Sequence, residues 1–307
     1  MEIPEFKPKF KERYEKLTDW EAFSKISLEF LRRSIRINTL KIDIETCKKR
    51  LEKRDWNLTP VPWCTEGFWV EHTGGRRDIG NTTEHSLGYI YVQEAASMIP
   101  PIVLAPQPGE KILDMCAAPG SKTSQIAQYM ENKGILIAND FTGLRLAPLG
   151  INLQRCGIHN QIITQMYGQW FKDFQFDRIL VDAPCSGTGT IRKSLKTIRI
   201  WNPTMIERLA ATQKKLIDNA FNNLRPGGTL VYSTCSLEPL EDESVVDSLL
   251  KDHDNAKIEE IDLGIKRSHP ILEFEKERYS EEVKKCLRIW PQDNNTEGFF
   301  VAKIKKS

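Results

Sequence analysis

Two cysteines in this chain sit in nearly matching contexts, Cys185 within Asp182-Ala-Pro-Cys-Ser-Gly-Thr-Gly189 and Cys235 within Tyr232-Ser-Thr-Cys-Ser236. Each follows an apolar run that reads as a buried strand, Arg178 to Val181 and Thr229 to Tyr232, so each thiol is expected at a strand's carboxyl end. In an open α/β sheet that edge is where ligands bind. Two nucleophilic sulfurs are therefore expected to face one substrate. The plain alternative is that either is a small buried hydrophobe, a common fate of an unpaired cysteine.

A second stretch with chemical character is Asp114-Met-Cys-Ala-Ala-Pro-Gly-Ser-Lys-Thr123, which lies between an apolar strand and a helical segment. Its small residues let a ligand approach the backbone closely. It holds one glycine where the dinucleotide fingerprint has three, and it lacks Walker A spacing, so a cofactor without phosphates fits better than a pyrophosphate. The next strand ends in Asn139-Asp140. An acid there either binds ribose hydroxyls or caps the following helix.

The elements that must position these residues follow from hydrophobic periodicity. Strands at Lys111–Met115, Gly134–Ala138, Gln161–Gln165, Arg178–Asp182 and Thr229–Ser233 alternate with helices at Lys122–Tyr129, Leu144–Arg155 and Met205–Leu224. Such alternation implies an α/β fold with a mostly parallel sheet covered on both faces. Near the end, Cys286–Trp290 and Gly298–Ile304 read as two strands with a short connection, an antiparallel hairpin at one sheet edge. The first 88 residues differ in texture. Amphipathic helices over 10–33, a strand at Ser34–Thr39 and a charged helix at Ile44–Arg54 precede a stretch of loops and short strands over 57–88. The expected organisation is a small α+β domain over residues 1–88 and a catalytic domain over 89–307.

The 307 residues are 40% hydrophobic, enough for one large core with an appendage. A net charge of +2 says little by itself, because a polyanion binder can gather its cations on one face. The seven cysteines are scattered without a Cys-x-x-Cys pair, which argues against a disulfide framework and a structural zinc site. The charged amino terminus and the lack of a run of roughly 20 apolar residues exclude a leader and a membrane span from this reading. A cytoplasmic, metal-free monomer is expected.

In order, Asp-x-Cys-Ala-Ala-Pro-Gly-x-Lys-Thr, Asn-Asp, Asp-Ala-Pro-Cys-Ser-Gly-Thr-Gly and Pro-Gly-Gly-x-Leu-Val-Tyr-Ser-Thr-Cys-Ser resemble the RNA (cytosine-5) methyltransferases of the Sun/NSUN type. Ile35-Arg-Ile-Asn-Thr-Leu-Lys41, Gln93-Glu-Ala-Ala-Ser97 and Thr296-Glu-Gly-Phe-Phe-Val-Ala302 extend the resemblance from about Ser34 to the end. It implies a Rossmann-like fold that uses S-adenosylmethionine, and short tRNA-modifying members without an added RNA-binding module are the nearest in character. By position, it implies a cofactor site of Cys116, Ala117, Ala118, Pro119, Gly120, Lys122, Asp140, Arg145 and Asp182. It also implies that Cys235 attacks cytosine C6, that Cys185 assists product release, and that Asp182 meets charge building at N3. Lys122 either orients Asp182 or is a solvated first-turn lysine. Many relatives carry an acid where this chain has Tyr167-Gly168, which leaves the adenine contacts open.

RNA recognition is expected from Arg192, Lys193, Lys196, Arg199, Arg208, Lys214 and Lys215, with Glu207 the one acid among them, and from Lys7, Lys9, Lys11, Arg13, Arg32, Arg33 and Arg36. Trp56, Trp63 and Trp69 are either stacking platforms for unpaired bases or, as is commoner, core. The target base must be flipped out to reach the thiols. Beside tRNA, an rRNA substrate remains open, as does a catalytically silent RNA-binding or ribosome-assembly factor on the same fold. The intact cysteine motifs weigh against silence, and the missing Gly-x-Gly-x-x-Gly weighs against a dehydrogenase.

Overall fold

The computed structural model describes residues 5–307. The chain opens with α1 (Pro8–Tyr14) and α2 (Trp20–Leu28), the latter capped by Asp19, whose carboxylate accepts the Ala22 amide at 3.1 Å. β1 (Ser34–Ile37), α3 (Ile44–Glu52), β2 (Trp56–Val61), β3 (Cys64–His72), α4 (Thr83–Ser86) and β4 (Ile90–Val92) follow. Asp43 caps α3 in the same manner, accepting the Thr46 amide at 2.8 Å. The stretch 57–88 is more regular than its composition suggests, because β2 and β3 form a long antiparallel hairpin. Its alternation is hidden in the sequence, since β3 buries the consecutive residues Glu66, Gly67 and Phe68.

The alternating part comprises α5 (Ile99–Leu104), β5 (Lys111–Asp114), α6 (Ser121–Tyr129), β6 (Ile135–Asn139), α7 (Gly143–Cys156), β7 (Gln161–Thr164), β8 (Phe176–Asp182), α8 (Lys196–Ile200), α9 (Pro203–Asn222) and β9 (Leu224–Thr234). It ends with α10 (Glu243–Asp252), β10 (Ala256–Glu259), β11 (Glu273–Phe274), β12 (Glu277–Arg278), β13 (Leu287–Ile289), α11 (Pro291–Asn294) and β14 (Phe299–Lys306). The result is a mixed α/β fold with a mostly parallel main sheet and a small N-terminal sheet, as the periodicity implies. Among the described residues, no helix is long and apolar enough to cross a membrane.

The chain divides into two compact units. The first comprises Arg32–Asp182 and Asn219–Val231. It contains the antiparallel sheet β2–β3–β1–β4, filled by Ile35, Ile37, Leu51, Trp56, Phe68 and Ile90. It also contains the strand order β9–β8–β5–β6–β7, in which β8, β5, β6 and β7 run parallel. Arg36 of β1 is 1% exposed, donating from Nε to Gln93 Oε1 at 2.9 Å and from Nη2 to Ser124 Oγ of α6 at 2.7 Å, with Nη1 bonded to Gln128. A buried guanidinium is tolerated only when its donors are satisfied, and here that requirement joins the small sheet to the helix after the glycine-poor loop.

The second unit comprises the described residues as far as Leu31, with Ala183–Asp218 and Tyr232–Ser307. Its core is aromatic: Phe10, Tyr14, Phe23, Trp201 and Trp290 pack with Ile191, Ile198, Ile206 and Leu237. Glu238 is buried beside them and accepts hydrogen bonds from Arg13 Nη1 at 2.9 Å, Tyr14 Oη at 3.1 Å and Trp201 Nε1 at 2.8 Å. β14 pairs antiparallel with β13 through its first half, as expected of the edge hairpin, and with β10 through its second. β10 escapes a reading by periodicity because it is four residues, Ala-Lys-Ile-Glu, inside a charged region.

Trp201 ties the aromatic cluster to Glu238. Trp201→Ala should lower the unfolding free energy by about 3–5 kcal/mol, as expected for truncating a buried aromatic. Trp201→Phe, which keeps most of the volume and removes the N–H, should cost less. Urea denaturation of the three proteins measures the difference, and equal midpoints for wild type and Trp201→Ala would refute this account of the core.

Candidate active site

In the first unit the glycine-poor loop is fixed by the strand ends around it. Met115 N donates to Leu180 O at 2.9 Å, and Ala117 N donates to Asn139 O at 2.7 Å. Gly120 has φ +103°, a left-handed conformation that favours glycine, and places Ser121 at the start of α6. The buried Asn139 amide joins three segments: Nδ2 donates to Met115 O and Met166 O, while Oδ1 accepts from Met166 N at 3.1 Å and Thr164 Oγ1 at 3.0 Å.

Asp140 is buried at the end of β6, with Oδ1 accepting the Thr142 amide at 2.9 Å. The N-cap of α7 is Thr142, so Asp140 is not itself the cap. Its Oδ2 lies 3.2 Å from Arg145 Nη1, yet it is buried and accepts no hydrogen bond among the described residues. Arg145 also bonds the carbonyl of Ala118. A buried carboxylate oxygen with unused acceptor capacity, beside a loop of Ala117, Ala118, Pro119 and Gly120, fits a ligand bearing hydroxyl donors, such as the ribose of S-adenosylmethionine.

Lys122 is 8% exposed rather than solvated, and its Nζ donates to Asp182 Oδ2 at 2.6 Å. Asp114, which the motif reading did not single out, is buried behind them with Oδ2 accepting from Thr123 Oγ1 at 2.7 Å. Burial pushes its carboxyl up to about 7, against the Thr123 bond and with a further push from the Asp182 charge. Burial, then the Asp114, Asp182 and Asp140 carboxylates, push the Cys116 thiol well above its ordinary range, so Cys116 stays a thiol. Tyr167 stacks on Phe141 with centroids 5.8 Å apart and meets Trp170 edge-on at 4.6 Å. Tyr167, Phe141 and Trp170 thus form an exposed aromatic group at the carboxyl ends of β6 and β7.

In the second unit the two thiols touch. Cys185 Sγ and Cys235 Sγ are 3.3 Å apart. Backbone bonds hold their loops together: Ala183 N donates to Ser233 O, and Gly189 N donates to Cys235 O, both at 2.9 Å. Gly189 must be glycine, because a Cβ there would lie 2.2 Å from the carbonyl oxygen of Gly298. The hydrogen bond with Cys235, then burial, pushes the Cys185 thiol well above its ordinary range. Cys47, Cys64, Cys156 and Cys286 are buried, and none of the seven cysteines forms a disulfide among the described residues. No group of three or more His, Cys, Asp or Glu suited to a metal occurs among them either.

Several residues expected to contact RNA are occupied internally. Arg36 lies in the buried network described above, and Arg13 pairs with Glu238 and Glu275. Lys7 Nζ donates to Trp201 O, and Arg192 donates to the carbonyls of Glu29, Phe30 and Thr296. Trp56 and Trp63 are buried, the latter donating to Ala95 O at 2.9 Å, while Trp69 lies under the Arg32 guanidinium at 3.9 Å. Lys193, Lys196, Arg199, Arg208 and Lys215 remain exposed.

Residues 101–305 match the family model described as 16S rRNA methyltransferase RsmB/F, and residues 4–95 match the N-terminal domain of 16S rRNA methyltransferase RsmF. The chain is 48% identical over 308 residues to tRNA (cytosine(49)-C(5))-methyltransferase of Pyrococcus abyssi, covering 99% of this chain and 98% of that one. It is 43% identical over 282 residues to ribosomal RNA small subunit methyltransferase F of Vibrio cholerae, covering 90% of this chain but only 58% of that longer protein. Among solved structures, a methyltransferase homolog protein from Pyrococcus horikoshii superimposes with TM-score 0.85 at 34% identity, covering 98% of this chain and 100% of that one. NSun6 from Pyrococcus horikoshii with SFG gives TM-score 0.86 at 26% identity, covering 98% of both chains.

The Asp114 carboxyl gives stability a pH signature. Its folded value of about 7 lies above the ordinary 3.8, so the folded chain holds this proton more tightly than the unfolded chain. The stability it contributes is present below the unfolded value and falls as pH rises between the two, by on the order of a few kcal/mol. Asp114→Asn should flatten that part of the stability–pH curve. Denaturation midpoints at pH 4.5 to 8, taken as wild type minus variant, read it directly; a pH-independent difference would show that Asp114 is ionised throughout.

Proposed function

This chain belongs to the RsmB/F methyltransferase family, the Sun/NSUN type of S-adenosylmethionine-dependent RNA cytosine-5 enzymes, and from that premise we propose that it methylates C5 of a cytosine in tRNA through a covalent cysteine adduct. The observation that carries the proposal is the contact of two thiols, Cys185 Sγ and Cys235 Sγ, at 3.3 Å. C5 of cytosine is a weak nucleophile until a thiolate adds to C6. In this reading Cys235 Sγ forms the bond to C6, and the electrons pushed toward C5 take the methyl group. A base then takes the C5 proton, the C5–H electron pair restores the C5=C6 double bond, and the C6–Sγ pair leaves on Cys235 Sγ, with the Cys185 thiol assisting release. Bound S-adenosylmethionine supplies the electrophilic methyl. Cys116, Ala117, Ala118, Pro119, Gly120, Asp140 and Arg145 would hold it, and Asp182, oriented by Lys122, would meet charge building at N3.

The tRNA substrate is favoured by the Pyrococcus abyssi relative, which matches this chain end to end, whereas the Vibrio cholerae rRNA enzyme has a large part with no counterpart here. An rRNA substrate is the second reading, since both family models bear that description. We assign recognition to the first 88 residues and to the exposed cations Lys193, Lys196, Arg199, Arg208 and Lys215.

The test is methylation of total RNA lacking this modification, followed by bisulfite mapping. New 5-methylcytosine in tRNA is expected, signal in rRNA alone would select the second reading, and none in either would refute both. With the RNA so identified, Cys185→Ala should accumulate a denaturation-resistant protein–RNA adduct and Cys235→Ala should form none; the reverse pattern would exchange the two roles. Asp182→Asn should lower kcat by about 10²–10⁴-fold, the usual range for a proton-handling side chain.

A further inference from the structure

Both cysteines are followed by serine, and the two serines converge on one carboxylate. Ser186, after Cys185, donates its backbone amide to Glu241 Oε1 at 2.9 Å, and its hydroxyl bonds Oε2. Ser236, after Cys235, donates its hydroxyl to the same Oε2 at 2.6 Å. Gln213 Nε2 donates to Oε1 at 3.0 Å and also to the carbonyl of Pro184, the residue before Cys185, at 2.9 Å. The main chain of Glu241 is anchored as well, its carbonyl accepting from the hydroxyl of Tyr232, which opens the second motif, at 2.6 Å. Glu241 is fully buried, so every one of these bonds is made away from water.

We propose that Glu241 is a positioning residue that clamps the two thiol-bearing loops together and so sets the distance between Cys185 and Cys235. A buried carboxylate has a strong requirement for donors, and here the donors come from both thiol-bearing loops. Backbone bonds fix the loops along the chain direction, whereas the Glu241 clamp fixes the residue immediately after each sulfur-bearing Cα. Loss of the clamp would let the thiols drift by a fraction of an ångström to an ångström, the scale at which reactions between positioned groups lose rate steeply. Burial raises the Glu241 carboxyl above its ordinary value while its donors oppose that rise, consistent with a group held by its surroundings rather than one poised toward solvent.

The consequence for turnover rests on the two-thiol chemistry proposed above, but the hold on the loops does not, and the experiment separates them. Diamide removes one hydrogen from each thiol, taking up two electrons and two protons as an S–S bond forms, so the rate of Cys185–Cys235 disulfide formation reports thiol proximity without RNA. Mass spectrometry of digested protein reads that rate. Glu241→Ala should slow it at least roughly tenfold, and Glu241→Gln, which keeps the shape and two hydrogen-bonding atoms, should recover most of it. Single-turnover methyl transfer at saturating RNA and S-adenosylmethionine should fall roughly 10–100-fold in Glu241→Ala, with the dissociation constants for both substrates changed less than twofold. If Glu241→Ala does not fold, the double variant Ser186→Ala with Ser236→Ala removes the side-chain arms with little change of volume and should show the same losses. Unchanged disulfide and transfer rates in a folded variant would overturn the proposal. A slowed disulfide rate in Glu241→Ala, together with no RNA adduct in Cys185→Ala, would uphold the clamp and refute the two-thiol mechanism instead.

Discussion

The second unit keeps two sulfur atoms in contact although they are borne by loops fifty residues apart. Sulfur contact at 3.3 Å tolerates little movement, so the surrounding segments are cross-bonded at backbone and side-chain level. Thr188 Oγ1 accepts the amide of Leu237, and Gly189 N reaches the carbonyl of Cys235, so the Ser-Gly-Thr-Gly tail of one motif docks on the other. Arg288 adds an outer tie: fully buried, it donates to Glu243 Oε1 at 2.7 Å, to Asp242 Oδ2 at 3.1 Å and to the carbonyl of Leu237 at 3.1 Å. Removing one partner of such a buried network strands the others without water, which is why these ties are costly to lose.

The same logic shapes the first unit. Asn139, Thr123 and Arg36 are buried polar side chains whose partners, among them the Met115 carbonyl, the Asp114 carboxylate and the Ser124 hydroxyl, lie near the proposed cofactor site. Apolar packing supplies the bulk of stability in a fold of this kind, but it is non-directional. Hydrogen bonds in low dielectric provide the direction, fixing which backbone groups line the loop from Cys116 to Gly120.

Much of this was legible in the sequence because strand and helix periodicities are local, and because the two Cys-Ser motifs carry their own strand context. The expected strand at Arg178–Asp182 and helix at Leu144–Arg155 differ from β8 and α7 only at their ends. What escaped depends on partners distant in the chain. Arg13 and Arg36 looked like cations for RNA because nothing nearby in sequence reveals Glu238 or Gln93 as their partners. Glu241 lies in Leu237-Glu-Pro-Leu-Glu-Asp-Glu243, which reads as a solvated acidic run, although Glu238, Glu241, Asp242 and Glu243 are all buried. The available signal was the apolar flank, Leu237 before the run and Val245-Val246 after it, which leaves those acids little solvent to face.

The close approach of Gly189 to Gly298 joins the end of a central motif to the start of the last strand. Gly298 N donates to Gly189 O at 2.9 Å, so the final hairpin is one wall of the thiol loop rather than a decoration on the sheet edge. A chimera that exchanged this hairpin with that of a relative would therefore also exchange a surface against which Gly189, the partner of the Cys235 carbonyl, is held. The natural module to transplant between such proteins is the pair of thiol loops together with the carboxy-terminal strands.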